Sequence, residues 1–294
     1  MKKVLIIGIL ITIVIAMVGC SPKESKNEKL NIVASFYPMY ILTKNIAGDI
    51  EGAEVSNMTN KIVGCMHNYT LTTSDLVKLE NADVFVVNGL GIENFIDKVV
   101  NTYSKINVIT ATEGIEDLVA DEHEEDTSSV NAHVWLSISK YLQEIENVKN
   151  GLINIDREHE NKYEQNAENY IKQVKNLKSK INNKNLERKK CVSFSEALAY
   201  LCEDFNLDIF TVETDHEQNG LSAEVMSSII EYIKANDIKN IIIDSSIADN
   251  NAKTVANETG AKIYIMDSGL NGTFDNDAYI KTMEENLKLV ESME

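Results

Sequence analysis

One segment limits the possible folds more than any other. Residues 157–184 read REHENKYEQNAENYIKQVKNLKSKINNK, with neither glycine nor proline. The apolar positions Tyr163, Tyr170, Val174, Leu177 and Ile181 step by seven, four, three and four. That is one stripe of an amphipathic helix. A helix of about 26 residues is roughly 39 Å long, enough to run the length of a small domain and beyond. Whatever lies on either side is joined by a stiff rod with one apolar face.

Both sides of the rod alternate strand-like and helix-like stretches. Before it, residues 30–38, 83–89 and 106–112 read as strands, and residues 72–82, a stretch from Glu93 and residues 137–154 read as helices. After it, CVSFS, DIFTVE, IKNIIIDSS and AKIYIMDS read as strands. EALAYLCEDF, SAEVMSSIIEYIKAN, NAKTVANETG and the C-terminal DAYIKTMEENLKLVESM read as helices. Apolar, β-branched runs separated by helices indicate parallel sheets covered on both faces. The fold class expected is α/β: two similar lobes, each a mainly parallel sheet flanked by helices, bridged by one long helix. The boundaries read as an N-terminal lobe over 30–154, a linker helix over 155–184 and a C-terminal lobe over 185–294. A cleft between the lobes would be faced by loops from the strand carboxyl ends.

The N-terminus speaks to compartment. Lys2 and Lys3, an uncharged apolar stretch over 4–18, and the polar run after Cys20 read as a secretory signal peptide over 1–19. The stretch is shorter than the roughly 20 residues that span a bilayer. The cysteine directly after Met17, Val18 and Gly19 resembles a bacterial lipobox, although Leu is usual where Met17 stands. Cleavage there would leave Cys20 as a diacylated N-terminus on a tether over 20–29, on the extracytoplasmic face of the cell membrane; the alternative is an uncleaved anchor. The formal net charge of −18 argues against a nucleic-acid partner. Cys65, Cys191 and Cys202 form no CxxC and no regular framework, so Cys191 and Cys202 read as core thiols, with pairing as the alternative.

No P-loop and no GxSxG motif is present. GLGIEN at 89–94 follows a strand, but it lacks a third glycine and sits on the third strand, a weak match to a dinucleotide fingerprint. The candidates for chemistry are histidines. His67 lies in GCMHNYTLTTSD, His133 in NAHVWLS, and Asp267 in IYIMDSGLNG at the end of the last strand. Strand ends and strand–helix loops are where α/β folds place ligands. Imidazole with carboxylate suits zinc, manganese or iron. A lone histidine is more often a surface or capped side chain, and these residues are far apart in sequence.

The segments together resemble the solute-binding proteins of zinc- and manganese-type ABC transporters, over nearly the whole mature chain. That family has G-x-x-H-x-Y, a Ser-Asp helix and NADxxxxNGxGxE; here GCMHNY is followed by TTSDLVKLENADVFVVNGLGIE. Its P-H-V-W-L segment corresponds to Ala132–His133–Val134–Trp135–Leu136. Tyr163, Asn166, Ala167 and Tyr170 fit its long helix, and Asp267 follows ETGAKIY as its final acid does. The resemblance implies two lobes bridged by a rigid helix, a bound Zn2+ or Mn2+ ion as transported ligand, delivery to a membrane permease, a monomer and no enzymatic activity. By analogy His67 and His133 would bind through neutral imidazole nitrogens and Asp267 through carboxylate oxygen.

The third ligand position departs from the family. Zinc-type members have His-Asp-Ala-Phe or His-Glu-Ala-Phe there, and the family histidine aligns with Ser195. Manganese-type members place Glu at this position, and Glu196 is one residue off that register. Glu196 is taken as the fourth candidate ligand; Cys65, His123 or water would be its substitutes. His216 is read as a surface side chain in a loop of the second half, and His159, early in the long helix, is expected to carry no role. Two other readings stand beside metal uptake: a related surface or adhesion lipoprotein without tight metal binding, and a metallohydrolase, which no HExxH supports.

Overall fold

The computed structural model describes residues 29–59, 66–120, 130–212, 221–246 and 250–294. The signal peptide, Cys20 and most of the tether lie outside the described residues, as do Cys65, His123 and His216. Among the described residues no helix is long and apolar enough to cross a membrane.

The first half contains β1 (Leu30–Ala34), α1 (Tyr37–Ala47), β2 (Ala53–Asn57), α2 (Thr73–Glu80), β3 (Val84–Val87), α3 (Ile96–Thr102) and β4 (Asn107–Thr110). Two long helices follow, α4 (Ile138–Ile155) and α5 (Glu160–Asn182). The second half contains β5 (Lys189–Ser193), α6 (Ala199–Asp204), β6 (Leu207–Thr211), α7 (Ala223–Ala235), β7 (Asn240–Asp244), α8 (Asn250–Thr259), β8 (Lys262–Met266) and α9 (Ala278–Glu291). The sheets have equivalent strand orders, β2-β1-β3-β4 and β6-β5-β7-β8, and every pairing is parallel. This is the two-lobe α/β architecture expected from the alternation.

Equal strand order has a consequence for function. From β1 the chain passes to β2 on one side and later to β3 on the other, so a crevice opens at the carboxyl ends of β1 and β3. The same reversal occurs at β5 and β7. Each sheet therefore presents Ser35, Asn88 and Gly89, or Ser195, Glu196 and Ser245, at its switch point.

The strands form because their side chains are buried on both faces. All of VFVV in β3 and all of NIIID in β7 are buried. Alternate residues go to different cores: Ile242 joins the large core, while Ile241 and Ile243 join a smaller one with Val192, Ile229, Ile233 and Val255. The large core is continuous from the first sheet through α1, α4 and α5 to α9, so it spans both halves. Helix α5 supplies Tyr163, Ala167, Tyr170, Val174, Leu177 and Ile181 to it and packs against α4, α1 and α9. Tyr141 of α4 stacks on Tyr279 of α9, with centroids 3.8 Å apart, and its hydroxyl lies 3.0 Å from that of Tyr170. Three helices from three parts of the chain are thus pinned at one aromatic contact.

Three local readings differ from the structure. The rod is a 23-residue α-helix of about 35 Å, preceded by a 3-10 turn at Arg157–His159. Asp156, outside helical geometry, accepts from Tyr163 Oη at 2.9 Å and lies 2.8 Å from His159 Nδ1, which sets the corner between α4 and α5. The strand read over 30–38 stops at Ala34, and Pro38 lies in the first turn of α1, where its missing N–H costs nothing. The strand β2 was not anticipated; AEVSN is a half-exposed edge strand with little apolar signal.

Candidate metal centre

Both histidines depend on one loop, the 88–94 turn after β3. Gly89, Leu90 and Gly91 all have positive φ, at 94°, 56° and 83°. A Cβ on Gly89 would lie 2.5 Å from Thr110 Cγ2 and 2.9 Å from Thr112 Oγ1, so only glycine fits there. The Glu93 side chain folds back into the turn. It accepts from Ser35 Oγ at 2.7 Å, Asn88 N at 2.8 Å and Gly89 N at 3.0 Å. Burial raises its pKa, opposed by these hydrogen bonds. The amides that would face a phosphate in a dinucleotide site are thus occupied by the protein's own carboxyl group.

From this turn two side chains reach out. Asn94 Nδ2 donates to the carbonyl of His67, and Asn88 Nδ2 donates to the carbonyl of Ala132 at 3.0 Å. His67 lies in the one-turn segment Met66–Asn68. A capping box fixes the following chain: Thr72 N donates to Asp75 Oδ2 at 2.8 Å and Asp75 N to Thr72 Oγ1 at 3.3 Å. Tyr69 Oη donates to that same Asp75 Oδ2 at 2.7 Å, so the His67 segment is tied to the start of α2.

His133 is 3% exposed and immediately precedes the 3-10 segment Val134–Leu136. Its Nδ1 lies 2.9 Å from Asn131 Oδ1, and its backbone N donates to that oxygen at 3.0 Å. The ring lies 5.2 Å from that of Trp135 and 5.6 Å from that of His67, at an interplanar angle of 59°.

The second half meets this segment through hydrogen bonds. Asn131 Nδ2 donates to the carbonyl of Glu196 at 2.8 Å, and Tyr200 Oη to the carbonyl of Asn131 at 2.9 Å. Trp135 Nε1 donates to the carbonyl of Ser268 at 2.9 Å, and Tyr279 Oη to the carbonyl of Trp135 at 3.0 Å. Glu196 starts a 3-10 turn and is half-buried. It lines a cavity of about 430 Å³ with Asn131 and Ala120. Asp267 follows β8, and its Oδ1 accepts from Gly269 N at 2.8 Å and Ser245 Oγ at 3.3 Å. Ser195 is buried, and its carbonyl accepts from Ser193 Oγ at 2.8 Å.

The structure therefore places the two imidazoles side by side and sets Glu196 and Asp267 on the second half, Glu196 bonded through its own carbonyl to Asn131 and Asp267 next to Ser268, which is bonded to Trp135. It does not gather all four: among the described residues no three His, Cys, Asp or Glu side chains form a group able to hold a metal ion. A wider cavity of about 710 Å³, walled by Tyr37, Tyr40 and Phe274, contains none of the four. His159 serves the α4–α5 corner. Cys191 and Cys202 are free and buried, and burial raises the Cys191 pKa to about 12; both are core thiols.

Sequence reasoning missed Asn131 and the anchoring role of Glu93. The NGxGxE spacing was the only available signal for Glu93. Nothing in NAHVW marks the asparagine as a partner of the histidine, because the contact depends on a local turn.

The iron-binding protein YfeA of Yersinia pestis is 30% identical over 240 residues, 80% of this chain and 76% of YfeA. The zinc-binding lipoprotein AdcA of Streptococcus pneumoniae is 28% identical over 294 residues, covering 92% of this chain but 57% of AdcA. The solved structure of the solute-binding protein FpvC from Pseudomonas aeruginosa, in complex with Mn2+, matches with a TM-score of 0.77 and 26% identity, over 89% of this chain and 97% of that one. The model of the ZnuA family, described as zinc-uptake complex component A, periplasmic, matches residues 32–292, and the chain belongs to that family.

Proposed function

We propose that this protein captures a divalent transition metal ion, zinc or manganese, outside the membrane and delivers it to the permease of an ABC transporter. It acts as a carrier and not as an enzyme, held to the membrane by lipid on Cys20. The observation that carries this reading is the His67–His133 pair. Two imidazoles bound to one zinc at about 2.0–2.1 Å in tetrahedral geometry have centroids roughly 5 Å apart; the two rings here lie 5.6 Å apart. The remaining coordination would come from Asp267 and Glu196, by movement of these carboxylates toward the pair. Such a mixed set of nitrogen and oxygen donors accommodates zinc and is also hard enough for manganese.

The test is calorimetric titration of the chelator-stripped soluble chain with zinc and then manganese, with His67→Ala in parallel. Saturable one-site binding that disappears in the variant is expected. Absence of binding for both ions would contradict the proposal and leave a surface lipoprotein without metal as the better reading.

A further inference from the structure

We propose that Asn131 is a positioning residue: it holds His133 in the Nδ1–H tautomer, which leaves Nε2 as the nitrogen for the ion, and ties that imidazole to the second half. The proposal rests on His133 being a metal ligand, but its first part is a statement about the metal-free protein.

The tautomer follows from hydrogen-bond logic. An asparagine amide is ambiguous until its neighbours fix which end is oxygen and which is nitrogen. Here both ends are fixed by groups with only one possible role. The Glu196 carbonyl can only accept, so the atom 2.8 Å away must be Nδ2. The backbone N–H of His133 can only donate, so the atom 3.0 Å away must be Oδ1. Oδ1 has no proton to give, and it lies 2.9 Å from His133 Nδ1. A hydrogen bond between them requires the proton on Nδ1. In the neutral ring the lone pair then lies on Nε2. Asn131 is 4% exposed and His133 3% exposed, so water does not compete freely for either group.

The same asparagine spans the halves. Its side chain reaches the carbonyl of Glu196, and its own carbonyl accepts from Tyr200. One amide thus links the His133 ring to the start of the turn that carries Glu196. Neighbouring Ala132 is held separately by Asn88, so the backbone around His133 has support that does not involve Asn131. Replacing Asn131 should therefore free the ring while leaving the segment in place. Outer partners of this kind typically contribute 10–100-fold to metal affinity.

The experiment is long-range nitrogen–proton NMR of the 15N-histidine-labelled, metal-free soluble chain, with zinc affinity measured on the same samples. Wild type is expected to show His133 as one tautomer, protonated at Nδ1. Asn131→Ala should give a tautomer mixture and zinc binding weaker by about 10–100-fold. Asn131→Asp keeps the acceptor for Nδ1 and loses the donor to Glu196; it should restore the single tautomer and part of the affinity. A wild-type ring protonated at Nε2, or an unchanged tautomer in Asn131→Ala, would overturn the assignment. The expected tautomers with no zinc binding in wild type would instead overturn the metal reading alone. The wild-type spectrum and the Asp variant decide the matter even if the Ala variant does not fold.

Discussion

The two halves use the same strand order and a similar anchoring device, yet they hold their cleft-facing groups differently. In the first half the buried carboxyl of Glu93 lies just beyond β3 and accepts from Ser35 and two backbone amides. In the second, the buried Asp244 ends the equivalent strand β7 and accepts from Ser246 N and Ser268 Oγ, each at 2.9 Å. Burial raises the pKa of both. The first device organises a turn that anchors both histidine segments. The second holds Ser246 and Ser268, the latter next to Asp267, while Asp267 and Glu196 stay half-buried. The histidine segments are tied by side-chain hydrogen bonds to one turn, whereas the two acids sit at half-buried positions.

The largest expected effect tests the anchors. Glu93→Ala strands three donors, two buried and one part-buried, at about 1–3 kcal/mol each, and relaxation should leave a loss of about 3–5 kcal/mol. Asp244→Ala strands two and should lose about 2–3 kcal/mol. Urea midpoints of the two variants compare them directly; equal losses would remove the asymmetry.

The ligands come next. His133→Ala should weaken zinc binding by about 100-fold or more, since loss of an outer partner alone contributes 10–100-fold. Asp267→Ala should weaken it by only about 10-fold, because a half-buried carboxylate can be replaced by Glu196 or water. Matching losses in calorimetric titration would mean the acids are as fixed as the histidines.

The first half also contains an exception. Glu144 of α4 is 0% exposed, and among the described residues neither of its carboxylate oxygens has a hydrogen-bond partner. Burial, and then the charge of Glu93, push its pKa well above the ordinary 4.5. The unfolded chain loses this proton above about pH 4.5, while the fold retains it, so stability from this group is fully present below that pH and falls as pH rises. Glu144→Leu should stabilise the protein by about 1–2 kcal/mol at pH 8 and flatten the decline measured from pH 5 to 8. The smallest effect is expected at Lys180–Glu284, a 2.8 Å pair between α5 and α9 that is half-exposed on the lysine side. Lys180→Ala should change stability by under about 0.5 kcal/mol, since the aromatic pin and not this pair holds the helices together.

How much was legible in the sequence depended on how local the signal was. The rod was visible because its stripe is written in consecutive turns, and β3 and β7 because they are continuous apolar runs. The edge strand β2 was not, since a half-exposed AEVSN has no period to read. His67, His133, Glu196 and Asp267 were selected from motifs, but their spatial relations were not legible. The 5.6 Å approach of the two rings joins segments that Asn88 and Asn94 hold from one turn. Asn131 was invisible because its role exists only once a turn brings its oxygen to a ring two residues away.

X-ray absorption fine structure of the zinc-loaded protein tests the proposed centre most directly. Two imidazole ligands at about 2.0–2.1 Å with oxygen completing the shell, reduced to one imidazole in either His67→Ala or His133→Ala, is the expected result. A shell without imidazole scattering, or one that neither variant changes, would contradict it.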